Sequence, residues 1–299
     1  MPELPPANPA PRSATILIPA YNEAETLGAI LPQLKDLYPE TEILVVDDGS
    51  RDNTAQLAAE GGARVVRHPY NKGNGASVKT GLRHATGEAV VIFDADGQHD
   101  PRAIGQLLAC LDEYDLVVAA RDARSETAWS RRLYHICLNA FASYMTERPI
   151  LDATSGFRAA RRAQLLEFIH LLPNGFSTPV TTTLAFIKAG YSVRFVSTTM
   201  FKRAGGQSKI SPFADGMRFI LIVFRMITLS APLKVFFPVG ALFVTLGVIY
   251  TALDIIFVSG RLHVANTAVL LVTMGILVFL IGLVSEQIAA LRFEHAGRE

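Results

Sequence analysis

Over roughly its first 200 residues the chain alternates between two hydrophobic patterns. Short runs dominated by apolar residues at 15–18, 43–46, 64–66, 89–93 and 116–119 are separated by segments with wider apolar spacing. Such runs, bounded by polar turns, read as strands buried on both faces. The segments between them predict helices over 23–37, with Asn22 as N-cap, and over 54–60 and 76–85. Alternating strands and helices predict an α/β domain with a mostly parallel sheet, helices covering both faces. Its polar motifs follow the strands directly, at the carboxyl ends where open α/β sheets bind ligands.

Beyond residue 210 the pattern changes. Residues 211–230 read as a helix with Phe213, Met217, Ile220, Phe224 and Ile227 among its apolar positions. Arg218 and Arg225 share one face, as in a helix lying in a membrane interface. Residues 235–257 are apolar apart from Asp254, and 265–285 carry no charge. Each reaches the roughly 20 residues a transmembrane helix needs. Gly240 and Gly247 share a face, as do Gly275 and Gly282, which predicts close packing of the two helices. Lys202, Arg203, Lys209 and Lys234 precede the pair and Arg292 and Arg298 follow it, whereas only Arg261 and His263 lie between. The excess of positive charge on one side predicts a multi-pass protein with both termini and the α/β domain in the cytoplasm. Residues 1–11 are Pro-rich without an apolar core and read as a disordered lead-in, not a signal peptide. The expected organisation is a lead-in over 1–12, a catalytic domain over 13–205, an interfacial segment over 206–232, two membrane helices within 233–290 and a tail over 291–299.

The formal net charge of +1 gives no case for a nucleic-acid partner. Cys110 and Cys137 lie in apolar-periodic stretches and predict buried free thiols in a reducing compartment.

Asp94-Ala95-Asp96 closes one apolar run. Two carboxylates two residues apart reach one hard cation if the backbone turns, and Gly97 allows that turn. Such oxygen ligands, with Gln98 as a further donor, suit Mg²⁺ or Mn²⁺, which commonly bridges to substrate phosphates. His99 reads as supporting those residues or the fold. Asp47-Asp48-Gly49-Ser50 ends another run, where a carboxylate accepts from a nucleobase N–H or ribose hydroxyls; Asp52 or Asn53 reads as a helix cap. Residues 71–76, Asn-Lys-Gly-Asn-Gly-Ala, open a helix whose backbone N–H groups can approach an anion. No Gly-x-Gly-x-x-Gly follows the first strand, which excludes a dinucleotide-dependent oxidoreductase of the usual kind.

These motifs, with Pro19-Ala20-Tyr21-Asn22-Glu23 before them and Asp152-Ala153-Thr154-Ser155-Gly156-Phe157-Arg158 after, resemble in order and spacing the family 2 glycosyltransferases of GT-A (Rossmann-like) fold. With the two C-terminal spans and the segment Arg203…Gly206-Gln207-Ser208-Lys209, the chain resembles the polyprenyl-phosphate group of that family. The resemblance implies metal-dependent, inverting transfer of a hexose or N-acetylhexosamine from a UDP- or GDP-sugar to undecaprenyl or dolichyl phosphate. It implies that Pro19, Tyr21, Glu23 and Asp48 hold the nucleoside. Lys72, Asp94 and Ala95 complete the nucleotide-sugar site, and Asp94, Asp96 and Gln98 hold the metal. Arg203, Ser208 and Lys209 close over the diphosphate. Arg121, one of Arg131 and Arg132, and Arg158 bind the acceptor phosphate; Asp152 is catalytic or a buried hydrogen-bonding residue. It also implies a prokaryotic cell membrane and a homo-oligomer, a tetramer in related members. A diacylglycerol-type acceptor and a catalytically silent membrane scaffold are the competing readings.

Overall fold

The computed structural model describes residues 13–121, 129–175, 177–198, 222–224, 227, 231–259 and 265–294. The chain divides into two compact units, Met1–Ile222 and Val223–Glu299.

The first unit runs β1 (Ala14–Ala20), α1 (Ala24–Leu37), β2 (Glu42–Asp47), α2 (Thr54–Glu60), β3 (Arg64–Arg67), α3 (Asn74–His84), β4 (Ala89–Ile92), α4 (Ala103–Ala109), β5 (Leu116–Arg121), α5 (Trp129–Thr146), β6 (Arg158–Arg161), α6 (Arg162–Glu167), α7 (Thr178–Lys188) and β7 (Val193–Thr198). The strands form one sheet in the order β3-β2-β1-β4-β6-β5-β7. Only β6 runs against its neighbours β4 and β5; the other pairings are parallel.

Alternation along the central strands gives the sheet two apolar faces. On one, Ile16, Ile18, Val45, Val91 and Phe93 pack with Leu27, Ile30, Leu31 and Leu34 of α1 and Ile104 and Leu107 of α4. On the other lies Leu17, pressed so closely by α3 that a Cβ at Gly81 would collide with its side chain. β1, β2, β4 and β5 are almost wholly buried, as their unbroken apolar runs require, while the outer strands β3 and β7 are partly exposed. β6 escapes the hydrophobic reading because Arg158-Ala159-Ala160-Arg161 has no bulky apolar residue; its backbone alone fills the gap between β4 and β5.

Two expectations are corrected. Asn22 does not cap α1; it sits at φ 55° and its Oδ1 accepts from Arg51 N at 2.9 Å. The free N–H groups at the helix start are met across the fold: Thr54 Oγ1 accepts from Glu23 N at 3.0 Å and Asp52 Oδ2 from Ala24 N at 3.3 Å. The Asp52 side chain thus serves two helices, since Oδ1 accepts from Thr54 N at the start of α2. Cys137 is exposed, not buried, while Cys110 is half-buried; both are free thiols.

The second unit is a helical hairpin of α8 (Leu233–Asp254), extended by a π-helical turn over Ile255–Ser259, and α9 (Asn266–Glu294). The stretches Leu233–Phe257 and Asn266–Leu291 are long and apolar enough to cross a membrane, and only 11% and 17% of their most apolar windows is buried within the protein. A core helix of a water-soluble protein hides such a surface. The helix α9 continues through residues 291–294, which the sequence assigned to a tail. At its far end Glu286 Oε2 accepts from Leu233 N at 3.1 Å, satisfying one free donor at the start of α8. The interfacial helix expected over 211–230 and the basic segment before it lie outside the described residues, save 222–224 and 227.

The paired glycines meet across the hairpin. A Cβ on Gly240 would lie 2.8 Å from the Gly275 carbonyl oxygen, and one on Gly275 would lie 2.7 Å from the Gly240 oxygen. Gly247 and Gly282 are likewise closed off, by Val272 and Phe236. Gly275→Leu is expected to force the helices apart and destabilise the hairpin by about 1–3 kcal/mol, the range for overpacking. A lowered thermal transition in detergent, against one that does not fall for Gly28→Ala, where nothing lies within 4 Å and Ala favours the helix, checks this.

Candidate active site

Sheet register assembles the site. Ala20 pairs with Asp47, so β1 and β2 end together, and Leu17 pairs with Ile92, so β4 stops a little short of them and the Asp94 loop starts beside the end of β1. The strand order reverses there, with β2 on one side of β1 and β4 on the other, which opens a crevice above the strand ends. Two antiparallel steps through β6 bring β5 back to the direction of β4, so Arg121 finishes at the same edge. A cleft of about 510 Å³ lies there, and Pro19, Tyr21, Glu23, Asp48, Asp94, Ala95, Asp96 and Arg158 line it. Asn71, Gly73, Thr154 and Thr182 add further polar groups to its walls.

Asp48 is 3% exposed. A buried carboxylate is tolerated when hydrogen bonds replace its water. Here His68 Nδ1 donates to Oδ1 at 2.7 Å, Lys72 N to Oδ1 at 2.9 Å and Gly73 N to Oδ2 at 2.8 Å. The loop reading of 71–76 therefore changes: the anion its first N–H groups cradle is Asp48 of the protein itself. Gly73 has φ 100°, a conformation that favours glycine, and a Cβ there would strike the Asn174 carbonyl. The Lys72 ammonium lies 5.6 Å over the Tyr70 ring.

Asp94 and Asp96 stand on the cleft wall after β4, and Gly97, at φ 70°, turns the chain behind them. Asp96 Oδ1 accepts from Gln98 N at 3.1 Å. Asp94 is backed by Gly156, where any Cβ would collide with its carboxylate. His99 is buried, with its ring centroid 4.9 Å from that of Phe157 and Nε2 3.7 Å from Asp94 Oδ2. Among the described residues no three His, Cys, Asp or Glu side chains gather into a complete metal site.

Asp152 is 3% exposed and organises its own turn: Oδ1 accepts from Thr154 N at 3.0 Å and Ser155 N at 3.1 Å. Its Oδ2 lies 3.2 Å from Arg121 Nε, and Arg121 Nη1 donates to His135 Nε2 at 3.0 Å. Arg121 is thus held at the end of β5 with part of its side chain exposed. Arg158 differs from its expected role. It is 2% exposed and donates through Nη1 to Pro179 O at 2.7 Å and to Thr183 Oγ1 at 3.2 Å, and through Nη2 to the Ser155 carbonyl. Burial pushes it down to about 10, against the opposing pull of Asp152 and Asp94, so it stays cationic at neutral pH. Its terminal nitrogens bind the protein, and it acts as a buried counter-charge behind the acidic wall.

Arg131 and Arg132 fall in the first turn of α5. Arg203, Ser208 and Lys209 lie outside the described residues. The sequence reading passed over His68, His135 and Thr154. His68 follows β3 directly, so the strand-end rule applied to Asp48 and Asp94 points to it as well.

The N-terminal half matches the model of "Glycosyl transferase family 2" over residues 15–167, and residues 231–291 match the "GtrB C-terminal hairpin". Glycosyltransferase AglJ of Haloferax volcanii is 28% identical over 97% of this chain and 98% of its own. Undecaprenyl-phosphate 4-deoxy-4-formamido-L-arabinose transferase of Pseudomonas fluorescens is 33% identical over 79% of this chain and 70% of its own. Polyprenol monophosphomannose synthase of Mycolicibacterium smegmatis is 33% identical over 69% of this chain and 84% of its own. In fold, the chain is similar to glucosyl-3-phosphoglycerate synthase of Mycobacterium tuberculosis, crystallised with Mn²⁺, UDP-glucose and phosphoglyceric acid, at TM-score 0.59 and 23% identity over 72% of this chain and 79% of that one. By the family match over half of its length and by relatives 33% identical over most of it, the protein belongs to glycosyl transferase family 2.

Proposed function

We propose that this glycosyltransferase moves a hexose or N-acetylhexosamine from a nucleotide sugar to the phosphate of a membrane polyprenyl phosphate, inverting the anomeric carbon. The observation that carries this reading is the union, on one chain, of a polar cleft lined by Asp48, Asp94 and Asp96 with a hairpin that leaves its apolar surface uncovered. A water-soluble donor and a lipid acceptor need such a pairing. The relatives named for undecaprenyl phosphate and polyprenol support it.

The acidic wall fits a hard divalent cation. Two carboxylates with too few protein partners for a closed cage suit an ion that completes its shell with substrate phosphates. Asp94, Asp96 and Gln98 would hold Mg²⁺ or Mn²⁺, which offsets the charge that develops on a departing diphosphate. Pro19, Tyr21, Glu23 and Asp48 would seat the nucleoside, and Arg203, Ser208 and Lys209 would close over the diphosphate. The nucleophile is a phosphate oxygen. A phosphate monoester has its second pKa near about 6 and is largely dianionic at neutral pH, so no general base is required. Arg121, with Arg131 or Arg132, would hold that phosphate and offset its repulsion from the donor. Asp152 positions Arg121 in this scheme and takes no proton. In this reading the cleft faces the cytoplasm of a prokaryotic cell, and the excess of basic residues flanking the hairpin supports that orientation.

The direct test incubates the detergent-purified full chain with undecaprenyl phosphate, Mn²⁺ and each UDP- or GDP-sugar, and weighs the lipid. One donor should yield a lipid-phosphate-sugar mass; sugar appearing on diacylglycerol instead, or on no lipid, sinks the reading. Asp96→Asn should lower turnover at least about a hundredfold, the loss expected when several kcal/mol of charge stabilisation goes, with its thermal transition retained. Chelation by EDTA should stop the reaction and Mn²⁺ restore it. Arg121→Ala should raise the KM for polyprenyl phosphate about tenfold or more and leave the donor KM within about twofold; a selective donor defect would remove Arg121 from the acceptor site.

A further inference from the structure

We propose that His68 sets which nucleobase the donor carries, by leaving Asp48 one open acceptor position that suits uracil and not guanine. The proposal rests on the reading above, in which Asp48 meets the base of a nucleotide sugar. A carboxylate has about four acceptor positions, two on each oxygen. Asp48 Oδ1 already accepts from His68 Nδ1 at 2.7 Å and from Lys72 N at 2.9 Å, so both of its positions are taken. Oδ2 accepts from Gly73 N at 2.8 Å and keeps one. Asp48 is otherwise buried and meets the cleft as part of its lining, so the remaining position is assigned to a ligand in the cleft.

The bases differ in what they bring to it. Guanine offers two adjacent donors, N1–H and the exocyclic N2–H, a fork that needs both carboxylate oxygens. Oδ1 cannot take its share, and one buried guanine donor would go unpaired, which is costly. Cytosine and adenine place a ring-nitrogen lone pair beside their amino group, facing the carboxylate. Uracil offers one ring N–H, and one acceptor position remains.

His68 is what fills Oδ1. It is 5% exposed and joins three elements: Asp48 after β2, its own position after β3, and Thr80 in α3, whose Oγ1 lies 2.9 Å from Nε2. An ionised carboxylate only accepts, so Nδ1 carries the proton. Thr80 fixes the ring from the other side. His68 touches no substrate and is a positioning residue.

The experiment measures binding of UDP and GDP to the full chain in detergent with Mn²⁺, by calorimetry, for the wild type and three variants. The wild type should bind UDP at least tenfold tighter than GDP. His68→Leu removes the donor to Oδ1; the ratio should fall to within about threefold, through weaker UDP and stronger GDP binding. His68→Asn keeps a donor near the place of Nδ1 and should retain most of the preference, which a merely space-filling role would not predict. Thr80→Val loosens the ring without emptying its site and should give an intermediate ratio, which keeps the test decisive if His68→Leu does not fold. GDP bound as tightly as UDP by the wild type, or an unchanged ratio in folded His68→Leu, overturns the role of His68 and leaves a nucleotide-sugar enzyme standing. A folded wild type that binds neither nucleotide overturns the donor reading itself, and this inference with it.

Discussion

Carboxylates buried at strand ends must find hydrogen-bond donors, and this requirement shapes the catalytic half of the molecule. Removing an ionised group from water is expensive unless the protein replaces the lost bonds. Asp47 takes Ser50 N at 3.0 Å, Asp48 takes three donors, and Asp152 takes the N–H groups of Thr154 and Ser155. In each case the following or neighbouring loop bends to present backbone N–H groups. The loops above the sheet are therefore held by the acidic residues they surround. Preorganised polar groups of this kind cost no rearrangement at the moment of reaction.

The same requirement separates two kinds of acidic residue. Asp47 and Asp152 have oxygens bound to partners within the protein. Asp94 stands on the cleft wall with His99 at 3.7 Å, longer than a hydrogen bond, and a glycine behind it. Arg158 lies buried behind this wall as a cation whose terminal nitrogens are bound to the Pro179 and Ser155 carbonyls and the Thr183 hydroxyl. Negative potential in the cleft is thus moderated by a charge held in its wall by the protein's own acceptors. That is a suitable setting for a divalent ion shared with a diphosphate, which needs acidic ligands but also tolerates a nearby cation.

The hairpin answers to another solvent. Its helices bury little of their apolar surface in each other, and their packing relies on backbone approach at Gly240 and Gly275 more than on interlocking side chains. In lipid the hydrophobic effect gives no drive for helices to associate, so close van der Waals contact at small residues takes its place.

How much of this was legible follows from range. The strands β1, β2, β4 and β5, the helix Thr54–Glu60 and both long apolar helices were readable, because each depends on a local hydrophobic period or on length. The acidic motif after β4 and its turn at Gly97 were readable for the same reason, as was the family through the order of its motifs. What the sequence could not decide was which donor meets which acceptor. The cap of α1 comes from Asp52 and Thr54, about 30 residues away, and not from adjacent Asn22. The glycine loop at 71–75 cradles Asp48, and Arg158 turns inward to carbonyls. His68 acquires its place only because β2, β3 and α3 converge on it. Hydrophobic period is written into neighbouring residues; the satisfaction of a buried polar group depends on partners that only the tertiary fold brings within 3 Å.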